Sequence, residues 1–220
     1  MKTLYLAIEG IDGSGKSCQI KNLLQYVIAL GLKPREYRFT DKGNSICGKL
    51  IQKIYGGPPN SVIVAIIRRM PFAQMMLYAL NARINLRKAL QNSNFDVLVG
   101  DRSIVTSYIV HDALFQKHPY LKVFEPNLLP DYVLLLDLDS DTAYERLKGR
   151  PIIGIDENIK RMKQMRNLYI QFANGQIPDE LQSIKWHIID ASLPINLVSD
   201  KVKDWVVSCL STDGFGDEKR

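Results

Sequence analysis

A glycine-rich segment near the amino terminus holds the residues best suited to chemistry. It reads Gly-Ile-Asp-Gly-Ser-Gly-Lys-Ser over residues 10–17 and fits the pattern G-x-x-x-x-G-K-S/T. Glycines let the backbone turn several N–H groups towards one phosphate, the lysine reaches the β and γ phosphates, and the serine ligates Mg²⁺. We therefore expect a phosphate-binding loop made of Gly10, Ile11, Asp12, Gly13, Ser14, Gly15, Lys16, Ser17 and Cys18.

The segments on either side of this loop have the periodicity that it requires. Residues 3–8 form a short apolar run, which is typical of a buried strand. After the loop, Ile20, Leu23 and Val27 recur with the spacing of one helix face. Gly31 stands where a helix commonly ends. Strand, loop and helix are the setting in which the pattern binds phosphate.

Further along the chain, apolar strands alternate with helices. Strands are predicted near residues 33–39, 95–99, 132–136 and 186–190, and helices near 46–55, 61–70, 71–90, 103–115, 140–148, 156–172 and from 194 onwards. Such alternation favours a parallel sheet with helices on both faces. We predict an α/β fold of three layers, the P-loop NTPase fold, with a five-stranded parallel sheet flanked by helices.

Length and composition limit the possible classes of protein. The 220 residues are expected to form one domain over residues 1–210, followed by a disordered tail over 211–220. A net charge of +6 suits an anionic ligand, with nucleic acid as an alternative. The three cysteines are far apart, which argues against a disulfide framework or a zinc site. No signal segment or membrane-length apolar run is evident, so we expect a cytoplasmic protein without a membrane partner.

Several motifs together resemble those of the thymidylate kinases, which are P-loop nucleoside monophosphate kinases. The matching segments are residues 8–17, 101–102, 130–137, 145–150 and 189–192. The resemblance implies phosphoryl transfer from ATP·Mg²⁺ to a deoxynucleoside monophosphate, usually dTMP, in dTTP synthesis. It also implies a homodimer, for which the long helix with Met75, Met76 and Leu80 offers a face, although core packing explains these residues equally well.

The resemblance assigns roles to residues at the carboxyl end of the sheet. Lys16 holds the ATP phosphates, Ser17 ligates Mg²⁺, and Asp12 meets the sugar hydroxyl of the acceptor and nearby groups. Arg102 grips the acceptor phosphate, while Asp101 acts at the metal or orients Arg102. A purely structural ion pair is the competing interpretation of the last two residues.

Further contacts with the acceptor nucleotide are implied on several elements. The expected set is Asp12, Arg38, Phe72, Arg83, Asp101, Arg102, Thr106 and His111. Thr106 matches a family residue that faces the base, and either Phe39 or Phe72 would stack on it. A phenylalanine on an apolar face is more often a core residue, and Arg83 is equally well explained as a solvated helix arginine.

Basic residues outnumber acidic ones between Arg146 and Arg166. In the family, the region corresponding to about residues 146–160 is a lid that closes over the phosphates. Cations there would neutralise the charge on the transferred group, and closure would exclude water. Arg146 and Arg150 are the expected catalytic cations of the lid, in addition to Lys16, Asp12 and Arg102.

The sequence departs from the family pattern mainly around the acceptor. Ser103 follows Arg102 where an aromatic residue or His is usual, and His111 stands where Gln is common. Cys18 replaces a common Thr, and residues 38–41 replace an Arg-Glu-Pro segment. ATP use is therefore better supported than dTMP specificity.

Other functions stay open at the level of the sequence. A related kinase acting on another deoxynucleotide or on a nucleoside is one alternative, and a nucleoside acceptor would need a base such as Glu9. A non-catalytic P-loop protein that binds nucleotide is a second alternative. Nucleic acid is not an expected partner, because the clearest basic cluster lies in the lid region and no basic strand is interleaved with aromatic residues.

Overall fold

The computed structural model describes residues 3–39, 46–55, 70–91, 94–115, 129–148 and 158–215. The strands are β1 (Leu4–Glu9), β2 (Pro34–Arg38), β3 (Val97–Asp101), β4 (Tyr132–Asp137) and β5 (Lys185–Asp190). The helices are α1 (Lys16–Ala29), α2 (Ile46–Tyr55), α3 (Pro71–Leu90), α4 (Ile104–Phe115), α5 (Ser140–Leu147), α6 (Ile159–Ala173) and α7 (Ile195–Thr212), with a short 3₁₀ turn at Asp179–Leu181. Of the predicted helix over 61–70, only Met70 is described, and it precedes α3.

All five strands run parallel, in the order β2-β3-β1-β4-β5. The predicted fold class, a five-stranded parallel sheet flanked by helices, is confirmed. Strand β1 is central, and the glycine-rich loop follows directly from it. In the strand registers, Asp101 at the end of β3 lies opposite Ile8 on one side and Arg38 on the other. Ligands of such sheets bind beyond the carboxyl ends of the strands, which is where these residues meet.

The central strands are apolar because both of their faces are covered. Every residue of β1 is buried, and Leu4, Leu6 and Ile8 have no exposed surface. A parallel strand covered by helices on both faces cannot alternate polar and apolar residues, which explains its continuous apolar run. Strand β5 lies at the edge of the sheet, and most of its residues are exposed or half-buried.

Asp131 joins β1 to the beginning of β4 at the amino end of the sheet. Its carboxylate Oδ2 accepts a hydrogen bond of 2.8 Å from the Tyr5 amide, and its own amide donates to the Tyr5 carbonyl at 2.9 Å. This end of the sheet is opposite to the glycine-rich loop. The Pro130-Asp131 part of the sequence resemblance is therefore a structural joint between strands.

Helix α7 closes the fold and corrects the predicted position of the tail. The apolar face predicted for it is buried as expected, through Val198, Val202, Trp205, Val206 and Cys209. However, the helix continues to Thr212, and Phe215 packs against the core. The prediction of a disordered tail beginning at residue 211 is therefore wrong for residues 211–215, while residues 216–220 lie outside the described chain.

None of the helices in the described ranges is long and apolar enough to span a bilayer.

Candidate active site

The loop between β1 and α1 is shaped by glycines that have no room for a side chain. Gly10 has φ 140° and Gly13 has φ 87°, conformations that other residues rarely adopt. A Cβ atom on Gly10 would lie 2.6 Å from the Leu136 carbonyl oxygen, and one on Gly13 would lie 2.6 Å from the Ala143 carbonyl oxygen. The loop is thus pressed against the end of β4 and against α5, which fixes its position over the sheet.

Lys16 is bent back over this loop and is nearly buried. Its ammonium donates to the carbonyl oxygens of Gly10 at 3.0 Å and Ile11 at 2.8 Å, and lies 3.6 Å from Asp12 Oδ1. Burial lowers the pKa of Lys16 to about 8, and the nearby positive charge of Arg102 acts in the same direction. The lysine predicted to bind phosphate is therefore held in the loop by weak acceptors that a phosphate can replace.

Arg102 is the second buried cation of the site. Its backbone is in the left-handed region at φ 68°, which costs about 1–2 kcal/mol for a residue with a side chain. Its Nη1 donates to the Gly10 carbonyl oxygen at 3.1 Å and to the Tyr169 hydroxyl at 3.2 Å, and its Nη2 donates to Asp12 Oδ1 at 2.5 Å. Burial opposes the charge of Arg102, but Asp12 outweighs it and raises the pKa above its usual value.

Asp12 forms ion pairs with both buried cations, Lys16 and Arg102. Its Oδ1 atom contacts Arg102 at 2.5 Å and Lys16 at 3.6 Å. Burial alone would raise the pKa of Asp12, but the charges of Arg102 and Lys16 hold this pKa well below its ordinary range. One cation comes from the glycine-rich loop and the other follows β3, so the fold brings two cations from separate elements to one carboxylate.

A fully buried carboxylate, Glu9, organises the layer beneath the loop. Its Oε1 accepts from the Ser103 amide and hydroxyl, both at 2.7 Å. Its Oε2 accepts from Thr106 Oγ1 at 2.7 Å and from the Tyr169 hydroxyl at 2.9 Å. Four donors satisfy the carboxylate. Glu9 is thus engaged inside the protein and does not have the open position that a base for a nucleoside acceptor requires.

Two residues expected to face the base occupy interior positions. The Thr106 hydroxyl is buried and turned towards Glu9. Phe39 is also buried, with its ring edge-on to Tyr37 at 6.5 Å between centroids. Of the two interpretations of Phe39, the structure supports the core residue over the ring that stacks on a base.

Two of the other expected acceptor residues, Arg38 and Asp101, end neighbouring strands, and a third, Arg83, lies on α3. Arg38 ends β2 beside Asp101 and is exposed, and its Nε donates to Glu36 Oε1 at 2.6 Å. Asp101 is half-buried and adds negative charge near Arg102, but among the described residues the carboxylate that hydrogen-bonds Arg102 is Asp12. Arg83 is half-buried on α3.

The side chains of Phe72 on α3 and His111 on α4 lie outside the described part of the chain, so their predicted contacts stay predictions.

Arg146 contacts the glycine-rich loop from α5. Its Nη1 lies 3.4 Å from the Gly13 carbonyl oxygen and its Nη2 lies 3.5 Å from the Ala191 carbonyl oxygen, directly after β5. Arg146 therefore bridges the loop and the segment that follows β5. Arg150, the other arginine expected in the lid, belongs to residues 149–157, which lie outside the described ranges.

Other cations of the basic stretch are paired within the protein. Arg166 on α6 donates through Nε and Nη2 to the two oxygens of Asp137 at 2.7 and 3.0 Å. Lys163 pairs with Asp141 at 2.9 Å. These pairs fix α6 to the end of β4 and to α5, so part of the positive charge has a structural function.

Tyr169 is the main residue of the site that sequence reasoning missed. It is completely buried on the face of α6 that also carries Met162, Met165 and Phe172. Such spacing predicts a core aromatic residue. Only the three-dimensional contacts with Glu9 and Arg102 identify it as part of a polar network, and no local sequence signal indicates it.

The second half of the glycine-rich loop and the first turn of α1 carry polar groups suited to an anionic ligand. The Ser14 hydroxyl is buried and has no hydrogen-bond partner in the described part of the chain. Gly15 faces open space, and Ser17 and Cys18 are exposed in the first turn of α1. The first amides of a helix also lack partners within the helix, which favours phosphate binding there.

The described residues contain no group of three or more His, Cys, Asp or Glu side chains placed to hold a metal ion. A donor set that offers mainly one hydroxyl, on Ser17, is compatible with Mg²⁺, because this ion is usually held by few protein ligands together with phosphates and waters.

The sheet order, the glycine-rich loop and the second buried cation after β3 define a P-loop phosphotransferase. A model of the thymidylate kinase family matches residues 8–202, and the chain belongs to this family. Because the match covers nearly the whole described fold, the chain is an enzyme of the kinase class, as predicted. The family implies ATP as the phosphate donor.

Curated relatives align over almost their full lengths. The chain is 26% identical to the thymidylate kinase of Mycoplasmoides gallisepticum, over 91% of this chain and 92% of that protein. It is 29% identical to a probable thymidylate kinase of Methanobrevibacter smithii, also over 91% and 92%. It is 26% identical to the thymidylate kinase of an Exiguobacterium species, over 97% and 99%. The names of these relatives support the predicted activity on dTMP over the alternatives.

The lowered pKa of Lys16 predicts that the protein takes up a proton when it binds nucleotide near pH 8. With a pKa of about 8 in the free protein, Lys16 is about half charged at that pH, and the ATP phosphates raise this pKa. Calorimetric titration of ATP at pH 8, in buffers of different ionisation enthalpy, should show uptake of about half a proton. The uptake should be close to zero at pH 6.5, where Lys16 is already charged, and affinity should fall as the pH rises above 8.

The matched control for proton uptake is Lys16→Arg, because a guanidinium stays charged throughout this range. Residual binding by this variant should occur without uptake at pH 8. Equal proton uptake by the variant and the wild type would show that another group is responsible.

Proposed function

We propose that this chain transfers the γ-phosphoryl group of ATP·Mg²⁺ to the phosphate of dTMP, giving dTDP and ADP for dTTP synthesis. The observation that carries the proposal is the meeting of Lys16 and Arg102 at Asp12 Oδ1. A reaction between two phosphorylated molecules needs a cation for each phosphate, with the transferred group between them. The family match supplies the acceptor.

On the donor side, Lys16 and the amides of the loop bind the β and γ phosphates of ATP. The ammonium moves from the carbonyls of Gly10 and Ile11, which are weaker acceptors than a phosphate. The hydroxyl of Ser17 holds Mg²⁺, which neutralises charge on the β and γ phosphates when it is bound. The positive end of α1 adds to the same field.

On the acceptor side, Arg102 binds the phosphate of dTMP, and Asp12 and Asp101 set the charge around it. An oxygen of this phosphate attacks the γ phosphorus of ATP, and the bond to the β–γ bridging oxygen breaks, leaving its electrons on ADP. The attacking oxygen is already anionic, so no side chain has to remove a proton. This agrees with Glu9, which is buried and saturated by four donors.

We propose that Arg38 on β2, Phe72 and Arg83 on α3, and His111 on α4 form the rest of the acceptor pocket. Thr106 contributes through its bond to Glu9. The lid, over about residues 146–160 of a domain that spans residues 1–210, brings Arg146 and Arg150 over the transferred group. Arg146 already touches the loop at Gly13.

The direct test is ADP release from ATP·Mg²⁺ with dTMP, dUMP, dGMP, dCMP, dAMP and thymidine as separate acceptors. We expect release with dTMP, much less with the other monophosphates, and none with thymidine, which lacks the phosphate that Arg102 binds. Lys16→Met should lower the rate with dTMP by about a hundredfold or more. Lys21→Met is the matched control on the exposed side of the same helix and should retain activity.

The acceptor profile also separates the alternatives. Turnover of another monophosphate in place of dTMP would show that the enzyme uses a different acceptor by the same mechanism. ADP release that no acceptor stimulates would refute the kinase proposal.

We further propose that the enzyme is a cytoplasmic homodimer that associates through α3. Leu80 on this helix is 46% exposed, which leaves a large apolar side chain in water unless a second copy covers it. The free cysteines, Cys18, Cys47 and Cys209, agree with a reducing compartment.

Light scattering should give twice the mass of one chain, and Leu80→Asp should give the monomer. Ile28→Asp is the control, since Ile28 is 61% exposed on α1. A wild-type monomer, or a dimer unaffected by Leu80→Asp, would contradict the proposed interface.

A further inference from the structure

We propose that Tyr169 is a positioning residue for phosphoryl transfer, because its hydroxyl fixes the guanidinium of Arg102 in the orientation that binds the acceptor phosphate. The hydroxyl donates to Glu9 Oε2 at 2.9 Å and accepts from Arg102 Nη1 at 3.2 Å. It therefore joins a carboxylate beneath the loop to a cation of the site. The inference rests on the proposed function, which assigns the acceptor phosphate to Arg102.

The hydrogen-bond donors of Arg102 show what this contact achieves. A guanidinium has five N–H donors, two on Nη1, two on Nη2 and one on Nε. Nη1 donates to the Gly10 carbonyl at 3.1 Å and to the Tyr169 hydroxyl at 3.2 Å, with Thr106 Oγ1 as a longer contact at 3.5 Å, and one N–H of Nη2 is taken by Asp12. Within the described residues, one N–H of Nη2 and the Nε–H stay available. Two donors are the number that bidentate phosphate binding uses.

The neighbours of Tyr169 determine in which hydrogen bond its hydroxyl donates and in which it accepts. Thr106 also donates to Glu9 Oε2, at 2.7 Å, so both hydroxyl protons point at the carboxylate. The oxygen of Tyr169 is left to accept from Arg102. Burial and the nearby charge of Glu9 raise the pKa of Tyr169, so the phenol keeps the proton that this arrangement requires.

Helix α6 is held in the place that this contact needs. Arg166 lies three residues before Tyr169, on an adjacent turn, and its two hydrogen bonds to Asp137 tie α6 to the end of β4. The helix begins after Asn158, close to the proposed lid. Tyr169 thus connects α6 to the cation that is proposed to bind the acceptor phosphate.

The test compares the binding of dTMP and of thymidine by titration calorimetry, in the wild type and in Tyr169→Phe. The two ligands differ only in the phosphate. Without the hydroxyl, Arg102 keeps its bonds to Asp12 and Gly10 and only the longer contact of 3.5 Å with Thr106, so dTMP affinity should fall about tenfold while thymidine affinity is unchanged. In steady-state kinetics, KM for dTMP should rise and kcat should fall, with no change in KM for ATP.

Tyr26→Phe is the matched control, because Tyr26 lies on α1 with Lys203 over its ring. It should bind both ligands like the wild type. An unchanged ratio of dTMP to thymidine affinity in folded Tyr169→Phe would overturn the inference, as would an equal loss for both ligands, which indicates a purely structural role. A wild type that binds dTMP no better than thymidine would instead refute the proposed acceptor chemistry.

If Tyr169→Phe does not fold, Asp137→Asn provides the second variant. This change keeps the shape of the side chain but removes the charge that anchors Arg166, so α6 and Tyr169 shift away from Arg102. The ratio of dTMP to thymidine affinity should fall severalfold. A folded Asp137→Asn protein with the wild-type ratio would contradict the inference.

Discussion

The site depends on one carboxylate placed between two buried cations. An unpaired charge in a protein interior costs several kcal/mol, and Lys16 and Arg102 are both nearly buried. Asp12 offsets that cost for both cations at a single oxygen atom. The glycines of the loop contribute to this arrangement. Their close packing against β4 and α5 fixes the loop, so that Asp12 stays within contact of Arg102. The strand order then brings the end of β3 beside β1.

Two buried cations close to one carboxylate form a site that suits the binding of two anions. In the free protein, backbone carbonyls accept from both cations and Asp12 forms an ion pair with each, while the Nε–H and one N–H of Nη2 on Arg102 have no acceptor among the described residues. A phosphate is a stronger acceptor than a carbonyl, so it would replace the partners of Lys16, and a second phosphate would take the two remaining donors of Arg102. The layer beneath, formed by Glu9, Ser103, Thr106 and Tyr169, stays in place while this exchange occurs. A rigid second layer lets the donors point at the reacting groups without reorganisation.

Local patterns predicted the fold class and the position of the glycine-rich loop. The loop motif, the buried strands and the helix faces depend on neighbouring residues, so the sequence carries them directly. The network around Glu9 joins residues 94 to 160 positions apart, and no periodicity encodes such contacts. The sequence therefore contains no local signal for the contacts of Tyr169, and it left Phe39 open between a core residue and a stacking ring until its burial decided for the core. The tail was misjudged because the contact of Phe215 with the core is also non-local.

The most direct measurement is a comparison of Asp12→Asn with the wild type in nucleotide binding and in turnover. If Asp12 aligns both cations, the variant should bind ATP and dTMP at least as well as the wild type, because a competing negative charge is gone. Its kcat should nevertheless fall by about a hundredfold, because the two cations are no longer aligned. An unchanged kcat, or an effect on the binding of only one nucleotide, would contradict the view that Asp12 joins the donor and acceptor sides.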